Sequence, residues 1–178
     1  MTIKVGIFGI TGRIGTRIAS TILASKDLDL SGGAVRPGHN LLNKNIGEKL
    51  GQKTTATYLD NLESVAQSAD VLIDFSKNQL TENIKAATAT GTPIVIGTTG
   101  LNDQELKLLE DAAQQIPVLY SPNMSIGANL LISMTEKLSH VLDDSFDIDV
   151  FEIHHRGKID SPSGGNIDGF CKKPEKIP

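Results

Sequence analysis

The densest group of chemically capable side chains lies near the carboxyl end of the sequence. His154, His155, Arg156 and Lys158 follow one another almost without interruption. An imidazole titrates near neutral pH and can move a proton, whereas Arg and Lys attract a carboxylate. Neighbouring residues of a strand point to opposite faces, so both imidazoles can reach one cavity only where the strand ends. The cluster suits proton transfer beside a carboxylate substrate; the alternative is a solvated basic loop.

Small residues follow this cluster and expose their backbone. Ser163-Gly164-Gly165 offers N–H groups that no side chain shields, and such groups can form a nest for a carboxylate. A metal site is the weaker interpretation, because adjacent histidines with one distant cysteine, Cys171, fit no common ligand spacing. We therefore predict no metal.

A glycine-rich segment lies near the amino end, between an apolar β-branched run and a helical pattern. It reads Gly9-Ile10-Thr11-Gly12-Arg13-Ile14-Gly15. Gly9 allows a tight turn, Gly12 lets the backbone approach a pyrophosphate, and Gly15 permits close helix–strand packing. The helix amino terminus adds free N–H groups for phosphates. The spacing departs from the usual G-x-G-x-x-G, so an ordinary turn is the alternative.

The end of the second predicted strand bears on the choice of dinucleotide. Ala34-Val35-Arg36-Pro37 contains no acid that could accept the ribose hydroxyls of NADH. Arg36 could instead pair with the 2′-phosphate of NADPH, because a guanidinium binds phosphate in a bidentate fork. A solvated loop arginine is the alternative.

Polar residues also follow the later predicted strands. Gly97-Thr98-Thr99-Gly100 could line a nicotinamide pocket or form an ordinary turn. In Ser121-Pro122-Asn123-Met124-Ser125, Asn123 could bind a carboxamide or a ribose, and Asn123 or Ser125 could equally cap a helix. Asp74, at the end of a buried strand, is more typical of a structural carboxylate that accepts loop N–H groups than of a catalyst.

The elements that must position these residues alternate along the chain. Strands are predicted at residues 3–10, 28–35, 70–75, 93–97 and 117–120, and helices at 13–25, 62–68, 79–90 and 103–115. Residues 36–53 are predicted to form a long loop or small insertion. The alternation favours right-handed βαβ units. The predicted fold class is α/β, a Rossmann-type parallel sheet with helices on both faces, whose strand ends form the ligand edge.

The pattern changes after residue 124. An apolar helix is predicted at 126–142 and a strand at 147–154, and the remainder is rich in Gly, Pro and Lys. We divide the chain into a dinucleotide-binding domain, residues 1–124, and the beginning of a second α+β substrate domain, residues 125–178. About fifty residues is marginal for independent folding.

Composition excludes several classes of function. The 178 residues carry a net charge of −4, and 4 % are aromatic, which argues against nucleic-acid binding. The apolar runs are too short to span a membrane. One cysteine permits no internal disulfide, which suits a reducing compartment. We expect a cytoplasmic protein with a small-molecule substrate and no nucleic-acid or membrane partner.

Five segments, in order, resemble the dihydrodipicolinate reductase (4-hydroxy-tetrahydrodipicolinate reductase) family of lysine and diaminopimelate biosynthesis. They are residues 9–15, VLIDF at 71–75, IGTTG at 96–100, the PNMS segment at 121–125 and HHRGKIDSPSG at 154–164. The resemblance implies an NAD(P)H-dependent reductase in which hydride passes to a cyclic unsaturated imine dicarboxylate. It also implies the homotetramer of the family.

The resemblance assigns roles to individual residues. His154 is then the catalytic proton donor and acceptor, and Lys158 is the second proton donor. The substrate carboxylates are held by His155, Gly164 and Gly165. The residues that would line the NADPH or NADH site are Gly9, Ile10, Thr11, Gly12, Arg13, Ile14, Arg36, Gly97, Thr98, Thr99, Ser121, Pro122, Asn123 and Met124.

The sequence also differs from the family pattern. Val35 stands where an acid is usual, and Gly157 and Gly165 stand where a bulkier residue and a Thr are common. Family members are longer, and residues 166–178 do not match them, so we expect a truncated carboxyl-terminal part. An inactive or weakly active nucleotide-binding remnant is therefore the alternative function. A different Rossmann dehydrogenase would explain the glycines but not the HHRGK cluster.

Overall fold

The computed structural model describes residues 2–76, 79–142, 145–147, 149, 151 and 153. The chain divides into two compact units, Met1–Tyr120 and Ser121–Pro178. In the first unit the strands are β1 (Ile3–Phe8), β2 (Leu28–Ala34), β3 (Tyr58–Leu59), β4 (Val71–Asp74), β5 (Ile94–Ile96) and β6 (Val118–Tyr120). The helices are α1 (Arg13–Ala24), α2 (Ile46–Leu50), α3 (Leu62–Gln67), α4 (Leu80–Thr90) and α5 (Asp103–Ala113).

The six strands form one parallel sheet in the order β3-β2-β1-β4-β5-β6. The order reverses between β1 and β4, which makes this pair the topological switch point, where open α/β sheets bind ligands. Phe8 is in register with Asp74, and Asp74 with Ile96, so three strands end at nearly the same level. The predicted α/β fold class is confirmed.

Each face of the sheet carries its own apolar core. Along β1, Val5 and Ile7 belong to the core that includes Ala19 and Ile22 of α1, whereas Phe8 belongs to the core of α3, α4 and α5. Successive strand residues point to opposite faces, so a strand covered by helices on both faces must be apolar at nearly every position. The buried stretch Val5–Phe8 of β1, which contains no polar side chain, has this cause.

The segment predicted as a loop or insertion, residues 36–53, contains one short helix, and a two-residue strand follows it. Helix α2 begins after Asn45, whose side chain accepts the Gly47 N–H at 2.7 Å, and Asn43 adopts a positive φ of 62°. Strand β3 adds only Tyr58 and Leu59 to the sheet edge. The sheet therefore has six strands where five were predicted, because two residues are too few to show a strand period.

The second unit is described mainly by helix α6 (Ile126–Val141). Ser125 caps this helix, and its hydroxyl accepts the Ala128 N–H at 3.3 Å. Of the strand predicted at 147–154, residues 147, 149, 151 and 153 are described and none is in a strand. Among the described residues, no helix has the length and apolar character needed to cross a membrane.

Candidate active site

The glycine-rich turn joins β1 to α1 at the switch point. Gly9 has a φ of +75°, and its carbonyl accepts the Gly12 N–H at 3.0 Å. A Cβ on Gly15 would overlap the Gly9 carbonyl oxygen and lie 2.8 Å from the Ile10 Cα. Helix α1 can therefore pack this closely on the turn only because residue 15 has no side chain.

The amino terminus of α1 fits the pyrophosphate of a dinucleotide. Gly12 is the N-cap and offers no side-chain acceptor, so the first N–H groups of α1 are not satisfied by a capping side chain. Thr11, Gly12, Arg13 and Ile14 are exposed around it. Exposed N–H groups with the partial positive charge of a helix terminus are suited to bind phosphate oxygens. Ile10 differs from its neighbours: its side chain is 2 % exposed and packs in the core.

Arg36 lies just beyond β2, on the other side of β1 from β4. Val35 donates its N–H to the Leu59 carbonyl at 2.8 Å, and Arg36 accepts the His39 N–H at 3.1 Å. The intervening Pro37 and Gly38, which has a φ of +73°, fit a type II turn. Arg36 is exposed, and within the described part of the chain it forms no ion pair. Its guanidinium is thus not committed to a neighbouring carboxylate.

The ends of β4 and β5 are joined by side-chain hydrogen bonds. Asp74 is fully buried and accepts the Ser76 N–H at 2.7 Å, as expected of a structural carboxylate that holds a loop. Burial raises the pKa of Asp74, and hydrogen bonds from Asn83 and Ser76 partly oppose that rise. Thr98 donates its hydroxyl to the Ser76 carbonyl at 2.8 Å. Thr98 therefore points into the loop, whereas Thr99 is exposed.

The predicted segment Ser121–Met124 belongs to the second unit and folds upon itself. Ser121 donates its hydroxyl to the Asn123 carbonyl at 2.8 Å, and the Asn123 side-chain oxygen accepts the Ser125 N–H at 2.9 Å. Asn129 binds the same Asn123 carbonyl at 2.8 Å. Pro122 and Met124 are exposed. The side chain of Asn123 thus organises the chain before α6, as a capping residue would.

The residues predicted to carry proton transfer and substrate binding lie outside the described residues. They are His154, His155, Lys158, Gly164 and Gly165. Among the described residues, no group of three or more His, Cys, Asp or Glu side chains could hold a metal ion.

Asn83 is a site residue that sequence reasoning missed. It lies in α4, is 1 % exposed, and donates its side-chain amide to the Asp74 carboxylate at 2.8 Å. The signal was present, because Leu80, Asn83, Ile84 and Ala87 share the spacing of one buried helix face. A polar residue on such a face predicts a buried hydrogen-bond partner.

Comparison with known proteins identifies the family to which this chain is related. A family model described as "Dihydrodipicolinate reductase, N-terminus" matches residues 3–124, and its counterpart for the C-terminus matches residues 127–168. The chain belongs to the dihydrodipicolinate reductase family. The family prediction is confirmed. The alternative that the chain is a different Rossmann dehydrogenase is not needed to explain the glycine-rich segment.

Full-length family members extend beyond the region that this chain matches. It is 36 % identical over 165 residues to the 4-hydroxy-tetrahydrodipicolinate reductase of Thiobacillus denitrificans, covering 92 % of this chain and 62 % of that protein. The reductase of Methanopyrus kandleri is 39 % identical over 173 residues, with 93 % and 63 % covered. The chain thus spans about three fifths of the length of these relatives.

Solved structures show the same fold at lower identity. The dipicolinate-bound dihydrodipicolinate reductase of Paenisporosarcina sp. TG-14 matches with a TM-score of 0.72 at 24 % identity, over 96 % of this chain and 66 % of that one. The apo scyllo-inositol dehydrogenase of Lactobacillus casei matches with 0.58 at 18 % identity, over 76 % and 42 %. At these sequence identities the structural similarity shows the fold alone.

Proposed function

We propose that this chain binds NADPH or NADH through its first unit and reduces 4-hydroxy-tetrahydrodipicolinate, the reaction for which its curated relatives are named. The observation that carries the proposal is the glycine turn at the switch point of the sheet, in a chain of this family. Gly12 and Gly15 remove the side chains that would block a pyrophosphate or push α1 away. When bound, the dinucleotide supplies a hydride.

The strand order orients the dinucleotide on the sheet edge. With the pyrophosphate at the start of α1, the adenosine half extends toward the end of β2 and Arg36. The nicotinamide half then extends the opposite way, toward the ends of β4 and β5, where Ser76, Gly97 and Thr99 lie. Arg36 would attract a 2′-phosphate, so we expect NADPH to bind at least as well as NADH.

The chemistry on the substrate is proposed from the residue types and the motif resemblance. His154 gives and takes the proton that accompanies reduction, and Lys158 is a second proton donor. His155 and the backbone of Gly164 and Gly165 hold the carboxylates of a small cyclic dicarboxylate. This reaction would serve lysine and diaminopimelate biosynthesis in the cytoplasm, and the assembly proposed is the homotetramer of the family.

The division into domains is part of the proposal. Residues 1–124 would bind the dinucleotide and residues 125–178 would contribute the substrate side. Ser121–Met124 would line the dinucleotide from the connecting segment, in which Pro122 and Met124 are exposed.

Calorimetric titration of the chain with NADPH and with NADH tests the binding step. We expect saturable binding of at least one dinucleotide, and binding of neither would overturn the proposal. A steady-state assay of NAD(P)H oxidation with 4-hydroxy-tetrahydrodipicolinate tests turnover. Binding without turnover would instead favour the nucleotide-binding remnant.

A further inference from the structure

A group of polar side chains is buried beneath the ends of β4 and β5. Asp74 is 0 %, Asn83 1 % and Thr98 9 % exposed. Ile96 is in register with Asp74, Leu80 is buried on the same helix as Asn83, and both Ile96 and Leu80 belong to the apolar core. Polar groups at such a place destabilise the fold unless they are hydrogen-bonded, and apolar side chains of the same size would fill the space at lower cost. Their presence calls for a role other than packing.

All three side chains are directed at one residue, Ser76. The Ser76 N–H donates to Asp74 Oδ1 at 2.7 Å. The Ser76 hydroxyl accepts from Asn83 Nδ2 at 2.9 Å, and the Ser76 carbonyl accepts the Thr98 hydroxyl at 2.8 Å. Asn83 Nδ2 also donates to Asp74 Oδ2 at 2.8 Å, which ties the set together. One loop residue is therefore held at its N–H, its hydroxyl and its carbonyl.

Asn83 has a further feature that stability does not explain. Its side-chain oxygen is buried and has no hydrogen-bond partner among the described residues. Leu has nearly the same shape and would leave no such group. The amide nitrogen, which binds both Asp74 and Ser76, is the part of Asn83 that Leu could not replace.

Ser76 lies against the glycine turn. A Cβ on Gly9 would be 3.0 Å from the Ser76 nitrogen and 3.1 Å from its Cα. The backbone of Ser76 therefore packs on the first glycine of the turn, between the ends of β1 and β4. This is the switch point, on the side of β1 opposite to β2.

We propose that Asp74 and Asn83 are positioning residues, which fix the backbone of Ser76 as the wall on which the nicotinamide half of the dinucleotide rests. The inference rests on the proposed function, because it requires a dinucleotide at this edge. It separates two halves of one site. The adenosine half depends on the glycine turn and Arg36, and the nicotinamide half depends on the buried pair.

The test compares two ligands on one variant. Asp74→Leu/Asn83→Leu removes both polar side chains and leaves the Ser76 N–H without its acceptor, so we expect a lower urea midpoint than that of the unsubstituted chain, and the titrations are made under conditions in which the variant is folded. NADPH titrates the whole site, and adenosine 2′,5′-bisphosphate titrates the adenosine half. We expect the Kd of NADPH to rise at least tenfold and the Kd of the bisphosphate to stay within twofold.

Two further variants complete the design. Thr98→Val removes a single hydrogen bond to Ser76. It should show the same split between ligands, to a smaller degree, even if the double variant fails to fold. Thr92→Val is the matched control, because Thr92 is buried and donates to the Ala66 carbonyl at the opposite end of β5. It should leave both dissociation constants unchanged.

A readout without ligand accompanies the titrations. The Ser76 amide should exchange its hydrogen faster in the double variant and in Thr98→Val than in the unsubstituted chain. Equal loss of both ligands, or no loss of NADPH with faster exchange, overturns the inference while the proposed function stands. If the unsubstituted chain binds neither NADPH nor NADH, the proposed function fails and the inference fails with it.

Discussion

Gly12 and Gly15 lie three residues apart in one turn, yet a methyl group would meet different surroundings at each. At Gly12 it would lie 3.2 Å from the Gly9 carbonyl oxygen, and the backbone, with φ −70° and ψ 165°, suits any residue. At Gly15 it would overlap that same oxygen and lie 2.9 Å from the Gly9 carbonyl carbon. Because these neighbours are backbone atoms, they cannot rotate away.

The expected magnitudes follow from these contacts. Overpacking of a closed site costs about 1–3 kcal/mol, and Gly15→Ala belongs near the upper end. The better helix propensity of Ala returns about 1 kcal/mol, so we expect a net loss of about 2 kcal/mol in the free energy of unfolding. Gly12→Ala needs a shift of only a few tenths of an ångström, and Ala restricts the unfolded chain by about 0.4–1 kcal/mol. Its stability should change by less than about 1 kcal/mol.

The two substitutions should rank differently in their effect on dinucleotide binding than in their effect on stability. A methyl group on Gly12 stands on the exposed surface that a pyrophosphate approaches. We therefore expect Gly12→Ala to raise the Kd of NADPH at least about tenfold, equivalent to about 1.4 kcal/mol, in a chain that is still folded. Gly15→Ala should weaken binding only together with stability.

Urea unfolding followed by circular dichroism and calorimetric titration with NADPH measure the two quantities on the same preparations. Gly91→Ala is the control for stability alone, because Gly91 caps α4 with a φ of +70° and has open space around it. A left-handed Ala costs about 1–2 kcal/mol, and NADPH affinity should not change. The reasoning is refuted if Gly12→Ala binds NADPH as tightly as the unsubstituted chain, or if Gly15→Ala keeps its urea midpoint.

Four further predictions concern single side chains. Arg36→Ala should weaken NADPH about tenfold and leave NADH nearly unchanged in parallel titrations; equal losses would mean that Arg36 only supports its loop. Burial raises the pKa of Asp74 above its ordinary value of 3.8. The contribution of Asp74 to stability is therefore present below that value and is lost as pH rises through the folded-state pKa. We therefore subtract the unfolding free energy of Asp74→Asn from that of the unsubstituted chain and expect this difference to fall as pH rises and then stay level. A difference that rises with pH would contradict the raised pKa. Asn102→Ala should cost about 1 kcal/mol in urea unfolding, because Asn102 and Glu105 form a capping box at α5; an unchanged midpoint would contradict it. His154→Ala and Lys158→Ala should each lower turnover about 10²–10⁴-fold and spare dinucleotide binding, and loss of binding would show that these residues support the fold.

The sequence predicted the elements whose signal is local. The apolar residues of β1 reflect helices on both faces, and the helix predicted at 103–115 corresponds to α5. The two-residue strand β3 escaped because it has no period to detect, and its pairing depends on residues of β2 far along the chain.

At the candidate site, too, the sequence could not predict features that depend on contacts between distant residues. Spacing could place Thr98 at a strand end, but its hydroxyl bonds to the Ser76 carbonyl, twenty-two residues away in sequence. Which of two adjacent threonines faces a ligand therefore depends on a tertiary contact. Asn83 was missed for a related reason: its partners, Asp74 and Ser76, belong to the strand end and loop before its own helix.

Binding and turnover are separable hypotheses for this chain, because most of the residues proposed for binding lie in the first unit and those proposed for proton transfer lie in the second. The glycine turn, Arg36 and the Asp74–Asn83 pair all belong to Met1–Tyr120, which has apolar cores of its own on both faces of the sheet. His154 and Lys158, which we propose for proton transfer, belong to Ser121–Pro178. Dinucleotide binding therefore tests the first unit together with the proposed lining segment Ser121–Met124. Under the proposed function, turnover requires both units, so a chain that binds NADPH and does not turn over would locate the deficiency in the second.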